Sequence, residues 1–383
     1  MYHIVFNADE RYIKYTAVVI NSIIKHTTLQ NCGGGESPKS PQKSSKLSPY
    51  HFHILSDSIS QATRDKLDSF INALNQIYPC QISIHTFDDD IFHSFRPWGF
   101  EYEHSKNYLA YYRLLFAQFL PQDATKCLYL DTDMLVLGDI RELWDMDLGS
   151  HILASSCGYT SDSARWDRAL QSTQDSTIHT FEVPYYFCSG LMFINITQWR
   201  AQNIESKCLD FLQKYDAEYP DQDALNVIIK GDIVRLPPEY GLLIFQAGIE
   251  LNNPQCDFKD KLQATLQNLK IAHLNGPAHP WLSKYHCLDA NAKPIDYPYT
   301  KEWWDIALGT PIFSDTLRAI YQKIHSPTHE LQAYSMGVAN VVGQMRADFD
   351  ARLNKIIAKQ NPLKYYRKKW SRKIKNAFHR KKV

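Results

Sequence analysis

The sequence predicts an α/β fold built on a parallel sheet, and three observations carry that expectation. Strand-like and helix-like segments alternate at regular spacing through residues 1–140. The first segment, "YHIVFNA", is a buried apolar run followed at once by helical spacing in "YIKYTAVVINSIIKH". With 44% hydrophobic and 22% charged residues over 383 positions, the chain can bury a large core.

The elements follow in order. "YHFHILSD" is the second strand, "SQATRDKLDSFINALNQIY" the next helix and "CQISIHTF" the third strand. "SKNYLAYYRLLFAQFLP" is expected to be a helix ended by Pro121, and "KCLYLDTDMLVL" the fourth strand. The second half adds the strands "HILASSCG", "YYFCSGLMFINI" and "IVRLPPEYGLLI". Two helices lie among them, "TQWRAQNIESKCLDFLQKY" and "DQDALNVIIKG". Residues 31–49 are rich in Gly, Ser, Pro and Lys and are expected to form a disordered surface insertion.

Several function classes are excluded. No G-x-G-x-x-G follows the first strand and no G-x-x-x-x-G-K-[ST] occurs, which argues against a dinucleotide fold and a P-loop. No apolar stretch reaches membrane-spanning length, and the first residues lack a signal-peptide pattern. Eight cysteines without a C-x-x-C pair suggest free thiols in a reducing compartment.

Asp131 and Asp133 end the apolar strand "KCLYLD". Residues i and i+2 of a strand share a face, and ligands of open parallel sheets collect at the carboxyl ends. Two carboxylates placed there repel unless a cation lies between them, and oxygen ligands favour Mg²⁺ or Mn²⁺. Three readings of the motif are open at this point: solvated loop aspartates capping the next turn, a phosphoaspartate hydrolase, or a sugar-nucleotide transferase. The Gly-Thr pair usual after the second Asp of the hydrolases is replaced by Met134 and Leu135.

Around this motif stand "FNADERY", "YLAYYRL", "YYFCSGLMFINITQW", "YPDQDALN" and "IAHLNGPAHPW", in that order. With these motifs the chain resembles the family-8 retaining glycosyltransferases, above all bacterial galactosyl- and glucosyltransferases of the lipopolysaccharide core. The resemblance covers residues 1–285. It implies a Rossmann-like, single-domain nucleotide-sugar transferase fold of the GT-A type. A helical segment, 286–350, and a basic tail, 351–383, would follow it.

The resemblance also implies roles for single residues. Asp131, Asp133 and His273 would hold Mn²⁺, with Mg²⁺ as the alternative. Ala8, Asp9, Arg11 and Tyr12 would hold the uracil and ribose of the donor. Arg113 would contact the donor and brace the D-x-D loop, where Thr132 also meets the donor. Asn275, Gly276 and His279 would lie along the diphosphate, His279 standing where many relatives have Lys. Asp221 and Gln222 would be the catalytic pair, Gln222 on the β-face of the anomeric carbon. A carboxamide is a poor nucleophile, which favours front-face transfer over double displacement. Cys188 stands where relatives have Asn near the donor sugar, and Gly158 where they have Asp, Asp162 being the nearest carboxylate.

The net charge of +1 hides an asymmetry. Residues 351–383 hold 13 Lys and Arg and no acid, leaving 29 basic against 41 acidic residues elsewhere. Leu363, Tyr366, Trp370, Ile374 and Phe378 recur at helical spacing within the tail, and Asn361 and Pro362 suit a helix start. Apolar on one face and basic on the other, the tail is expected to lie on an anionic membrane surface rather than on nucleic acid, against which the acidic body argues.

The expected activity is transfer of galactose or glucose from UDP-galactose or UDP-glucose to a lipid-linked core oligosaccharide, of the lipopolysaccharide or lipooligosaccharide type. The expected place is the cytoplasm, peripherally on the inner face of the cytoplasmic membrane. A protein or glycogen-like acceptor, or a non-catalytic sugar-nucleotide scaffold, is the alternative.

Overall fold

The computed structural model describes residues 1–27, 48–97, 107–158 and 166–360. In chain order its strands and helices are β1 (Tyr2–Asn7), α1 (Ile13–His26), β2 (Tyr50–Ser56), α2 (Gln61–Leu74), β3 (Cys80–Thr86), β4 (Lys126–Leu130), β5 (Met134–Val136) and β6 (Leu153–Ser155). There follow β7 (Arg168–Ser172), β8 (Ile178–Phe181), β9 (Leu191–Asn195), α3 (Ile196–Ala201), α4 (Ile204–Lys214), β10 (Tyr215–Asp216), α5 (Pro220–Ile229), β11 (Ile233–Arg235) and β12 (Tyr240–Leu243). The described chain closes with α6 (Ile244–Asn252), α7 (Lys259–Gln267), β13 (Ile271–His273), α8 (Thr300–Leu308), α9 (Ser314–Ile324) and α10 (Pro327–Gln360).

Seven strands form the main sheet in the order β11-β6-β9-β4-β1-β2-β3. β4, β1, β2 and β3 run parallel, which requires long crossovers and buries both faces. The parallel sheet expected from residues 1–140 is present, and beyond that range β9 lies antiparallel between β4 and β6. A three-stranded sheet, β12-β13-β5, carries the second half of the D-x-D segment, and β10-β7-β8 forms a third.

Four expected elements break up, each for a local reason. "KCLYLDTDMLVL" is not one strand: the chain leaves the main sheet at Leu130, turns through Asp131–Asp133 and enters the small sheet at Met134. "IVRLPPEYGLLI" splits into β11 and β12 around its two prolines, which donate no ladder hydrogen bond. The helix before residue 216 divides at Asn203, whose φ of +51° is left-handed. The segment before Pro121 forms 3₁₀ turns, Leu109–Leu114 and Phe116–Gln118, rather than an α-helix. It buries seven consecutive side chains from Tyr111 to Ala117, whereas an amphipathic α-helix turns only one stripe inward.

The chain divides into two compact units. The first comprises residues 1–281 and 297–322 and holds every sheet; among described residues the second comprises 282–296 and 323–360. The helical region expected over 286–350 is thus shared between the two units. Residues 31–47 of the expected insertion, and 361–383 of the tail, lie outside the described residues.

Candidate active site

The site forms where β4 ends. Asp131 N–H donates to the Gly190 carbonyl (2.8 Å), tying the D-x-D turn to the start of β9. The two carboxylates do not share a strand face, as the turn intervenes, and each meets its own partners. Arg113, from the buried 3₁₀ segment, donates through Nη2 to Asp131 Oδ1 (2.9 Å), and its Nε lies 3.1 Å from Asp221 Oδ2. Its Nη1 donates to the Ser189 carbonyl (3.1 Å). Tyr129 OH donates to Asp131 Oδ1 (2.8 Å). Burial disfavours the guanidinium charge, but Asp131 and then Asp221 outweigh it and hold the pKa of Arg113 above its ordinary value.

Asp133, at the far end of the turn, meets two histidines. Antiparallel pairing of β5 with β13 puts His273 opposite Met134, one residue from Asp133. Asp133 Oδ1 is 3.2 Å from His273 Nε2 and Oδ2 is 3.1 Å from His279 Nε2. Burial would raise the Asp133 pKa, but His273 and then His279 pull it well below the carboxylate range. At His273 burial opposes the imidazolium, while Asp133 and then Cys188 outweigh burial and raise it.

The residues fit a divalent cation. One ligand atom from each of Asp131, Asp133 and His273 lies within 4.8 Å of the others. Asp133 Oδ1 is buried and receives no hydrogen bond, His273 standing close without hydrogen-bonding geometry. Gly190 keeps the space beside them open: a Cβ there would fall 2.6 Å from His273 Cε1 and 2.7 Å from Asp131 Oδ2. A cation would take the place of the proton at His273, since a ligating imidazole is neutral.

The catalytic candidates sit on the first turn of α5. Asp221 is buried; its pKa is raised by burial, against the pull of Arg113. Ser189 Oγ donates to Asp221 Oδ2 (2.9 Å), and Ser189 N–H donates to Gln222 Oε1 (2.9 Å). Asp223 is held by Arg168 (2.8 Å) and accepts from Tyr186 OH (2.6 Å), so the turn is braced on both sides of the half-buried Gln222.

The other expected residues divide. Asp9 is buried and accepts from the N–H groups of Arg11 and Tyr12 (both 3.0 Å) and from Arg11 Nη2 (2.6 Å), so its carboxylate caps the turn that opens α1. Ala8 is buried and donates to Leu55. Tyr12 meets the edge of Trp281 (6.3 Å), and Trp281 stacks on His279 (4.5 Å), which links this group to the D-x-D turn. Gly276, with φ +57°, starts a 3₁₀ turn that leads to His279. Thr132 is buried between the aspartates. Cys188 Sγ lies 3.6 Å from His273 Nδ1. Asn275 turns away, accepting from Phe245 N–H (3.2 Å) and donating to Gln246 (3.0 Å) on α6. Gly158 takes φ +75° against Leu243, and Asp162 lies outside the described residues.

Sequence reading missed Tyr129, Ser189, Gly190 and Trp281. Tyr129 had a signal, standing two residues before Asp131 at the end of the apolar run. Gly190 had one too, as the lone glycine opening an apolar strand.

Comparison with known proteins gives the family. The model of the family "Glycosyl transferase family 8" matches residues 3–285. The chain belongs to this family. It is 23% identical over 293 residues to the lipopolysaccharide 1,3-galactosyltransferase of Salmonella typhimurium, covering 75% of this chain and 79% of that protein. It is 25% identical over 294 residues to the lipopolysaccharide glucosyltransferase WaaO of Escherichia coli, with the same shares. To the lipopolysaccharide 1,2-glucosyltransferase of Escherichia coli it is 28% identical over 177 residues, covering 45% of this chain and about half (48%) of the other. Among solved structures, the galactosyltransferase LgtC in complex with donor and acceptor sugar analogues shares the fold (TM-score 0.53, 20% identity, 83% of this chain, 99% of that one). This family-8 protein is a glycosyltransferase with a GT-A fold.

Proposed function

We propose that this glycosyltransferase transfers galactose or glucose, with retention, from a UDP-sugar to a lipid-linked oligosaccharide of the lipopolysaccharide core type. The observation that carries the proposal is the convergence of Asp131, Asp133 and His273 on one point, with Asp221 and Gln222 joined to the same turn through Arg113 and Ser189. Asp131, Asp133 and His273 would hold Mn²⁺, which when bound neutralises charge on the departing diphosphate. His279 would donate a hydrogen bond to the β-phosphate. Asp9, Arg11 and Tyr12 would receive the nucleoside, Tyr12 through its ring.

Gln222 Oε1 is oriented by Ser189 N–H and keeps a second lone pair for positive charge at the anomeric carbon. In front-face transfer the bond from C1 to the UDP oxygen breaks and the bond from C1 to the acceptor oxygen forms on the same face. The acceptor's proton passes to the leaving phosphate oxygen, so no side-chain base is needed. Membrane association is supported by α10, which exposes Met345, Phe349, Leu353 and Ile356 and runs directly into the basic tail. No described helix is long and apolar enough to cross a membrane.

UDP release from UDP-glucose, UDP-galactose and UDP-N-acetyl sugars, with Mn²⁺ or EDTA, tests the reading without a known acceptor. Metal-dependent release from one hexose donor is expected, with Asp133→Ala at least ~100-fold slower. UDP binding without release from any donor would favour the scaffold alternative. Neither binding nor release would overturn the donor site.

A further inference from the structure

A second cluster of titratable side chains lies on the main sheet, away from the donor site. His3 on β1 pairs in register with His51 on β2, and His53 on β2 pairs with Ser83 on β3, two residues before His85. Alternate residues of in-register parallel strands share a face, so all four imidazoles stand on one side of the sheet. His53 is at their centre. Its Nε2 is 3.0 Å from His3 Nδ1, and its Nδ1 is 3.0 Å from His85 Nε2. The His51 ring centroid lies 3.8 Å from that of His53, and His51 Nε2 is 2.8 Å from Ser83 Oγ. His3 and His53 are buried, whereas His51 and His85 are half-buried and open the cluster to solvent.

One ring nitrogen from each of His3, His51 and His53 lies within 4.8 Å of the other two. Neither the fold nor sugar transfer asks for three imidazoles here; apolar residues would fill the same space at lower cost. Burial holds all three below the ordinary histidine pKa, helped by the N-terminal ammonium at His3 and by the neighbouring rings at His51 and His53, with His51 at about 4, so each presents a lone pair at neutral pH. Asp123 is the acid that acts on His3 in the opposite sense.

We infer that His3, His51 and His53 form a binding site for a divalent transition cation that prefers nitrogen, Zn²⁺ foremost. Neutral imidazoles suit Zn²⁺, while Mn²⁺ and Mg²⁺ prefer the carboxylates of the D-x-D turn. Ligand nitrogens around tetrahedral Zn²⁺ stand about 3.3 Å apart, close to the spacing of His3 and His53. His85 is the orienting partner. By accepting the Nδ1–H of His53 it leaves the Nε2 lone pair facing His3. Binding then moves the His3 proton to its outer nitrogen and releases none, leaving a fourth position for water. The site is independent of the donor: Cys127, in register with His3, lies four residues, ~13 Å, upstream of Asp131 along β4.

The test uses the full-length, tag-free protein, with Zn²⁺ affinity measured by competition with a chromophoric chelator. Asp133→Asn disables the D-x-D site, so Zn²⁺ retained in that variant reports the histidines. The expected result is one Zn²⁺ bound in Asp133→Asn, and affinity lower by ~10-fold or more when His51→Gln is added. His51 is half-buried, and circular dichroism checks that its variant folds. Substituted Co²⁺ gives a second readout: intense visible bands of a four-coordinate nitrogen site in Asp133→Asn, lost with His51→Gln. The inference is overturned if Asp133→Asn binds no Zn²⁺, leaving a hydrogen-bonded imidazole chain only, or if His51→Gln changes neither affinity nor spectrum.

Discussion

The donor site and the histidine cluster are both buried groups of titratable side chains on the same sheet, and they meet the cost of burial by opposite means. At the carboxyl end of β4 opposite charges are paired: Arg113 lies against Asp131 and Asp221, and His273 against Asp133, which His279 also touches. Near the amino ends of β1 and β2 charge is given up, and neutral rings hydrogen-bond to one another and to Ser83. A paired site sets opposite charges side by side, where a cation is proposed to sit. A discharged one keeps lone pairs available and becomes sensitive to acid.

Three experiments would break or sharpen this contrast. The largest effect is expected from Arg113→Met, which leaves the buried Asp221 and the half-buried Asp131 without the guanidinium they share. It should lower unfolding free energy by ~3–5 kcal/mol and abolish transfer. Wild-type stability in a urea titration would show that pairing does not hold this end together. Next comes Gly190→Ala, whose Cβ would press on His273 and Asp131. Mn²⁺ affinity, read by electron paramagnetic resonance, should fall ~10–100-fold with a smaller loss of stability. Unchanged affinity would remove the cradle from the site. The smallest effect is expected at His51, with metal chelated throughout. Its folded pKa, about 4, lies below the unfolded value of 6.5, so as pH falls through that window the unfolded chain takes up a proton that the folded one refuses. Stability should therefore decline from about pH 6.5 to about 4, and His51→Gln should flatten that slope by up to one proton. An identical slope would mean that His51 is not neutral in the fold.

Much of the donor site was legible because its residues sit in local patterns. Asp131 and Asp133 end an apolar run, and Gln222 lies in the first turn of a helix that begins with proline. The reason first given for the paired aspartates, a shared strand face, was wrong: the chain turns there and changes sheets. That turn depends on β13, far away in sequence, and no local window contains it. Ser189 and Trp281 were passed over for the same reason, since each acts through a partner on a distant segment. The 3₁₀ turns around Arg113 defeat periodicity because nearly every side chain in them is buried. The alternation that announced the parallel strands ends at residue 140, and the direction of β9 beyond it has no local signal.

The change of sheets at the D-x-D turn also sets an order of events during synthesis. Asp133 and His279 are 146 residues apart in the chain, whereas His3 and His53 are separated by 50. At the pace of translation, the second half of the donor site leaves the ribosome on the order of 10 s after the first. Through that interval the carboxylate of Asp133 has neither His273 nor His279 beside it, while the histidine strands can already have paired. The nascent chain thus completes its nitrogen cluster early and the proposed donor site late, when nearly three-quarters of it has been made.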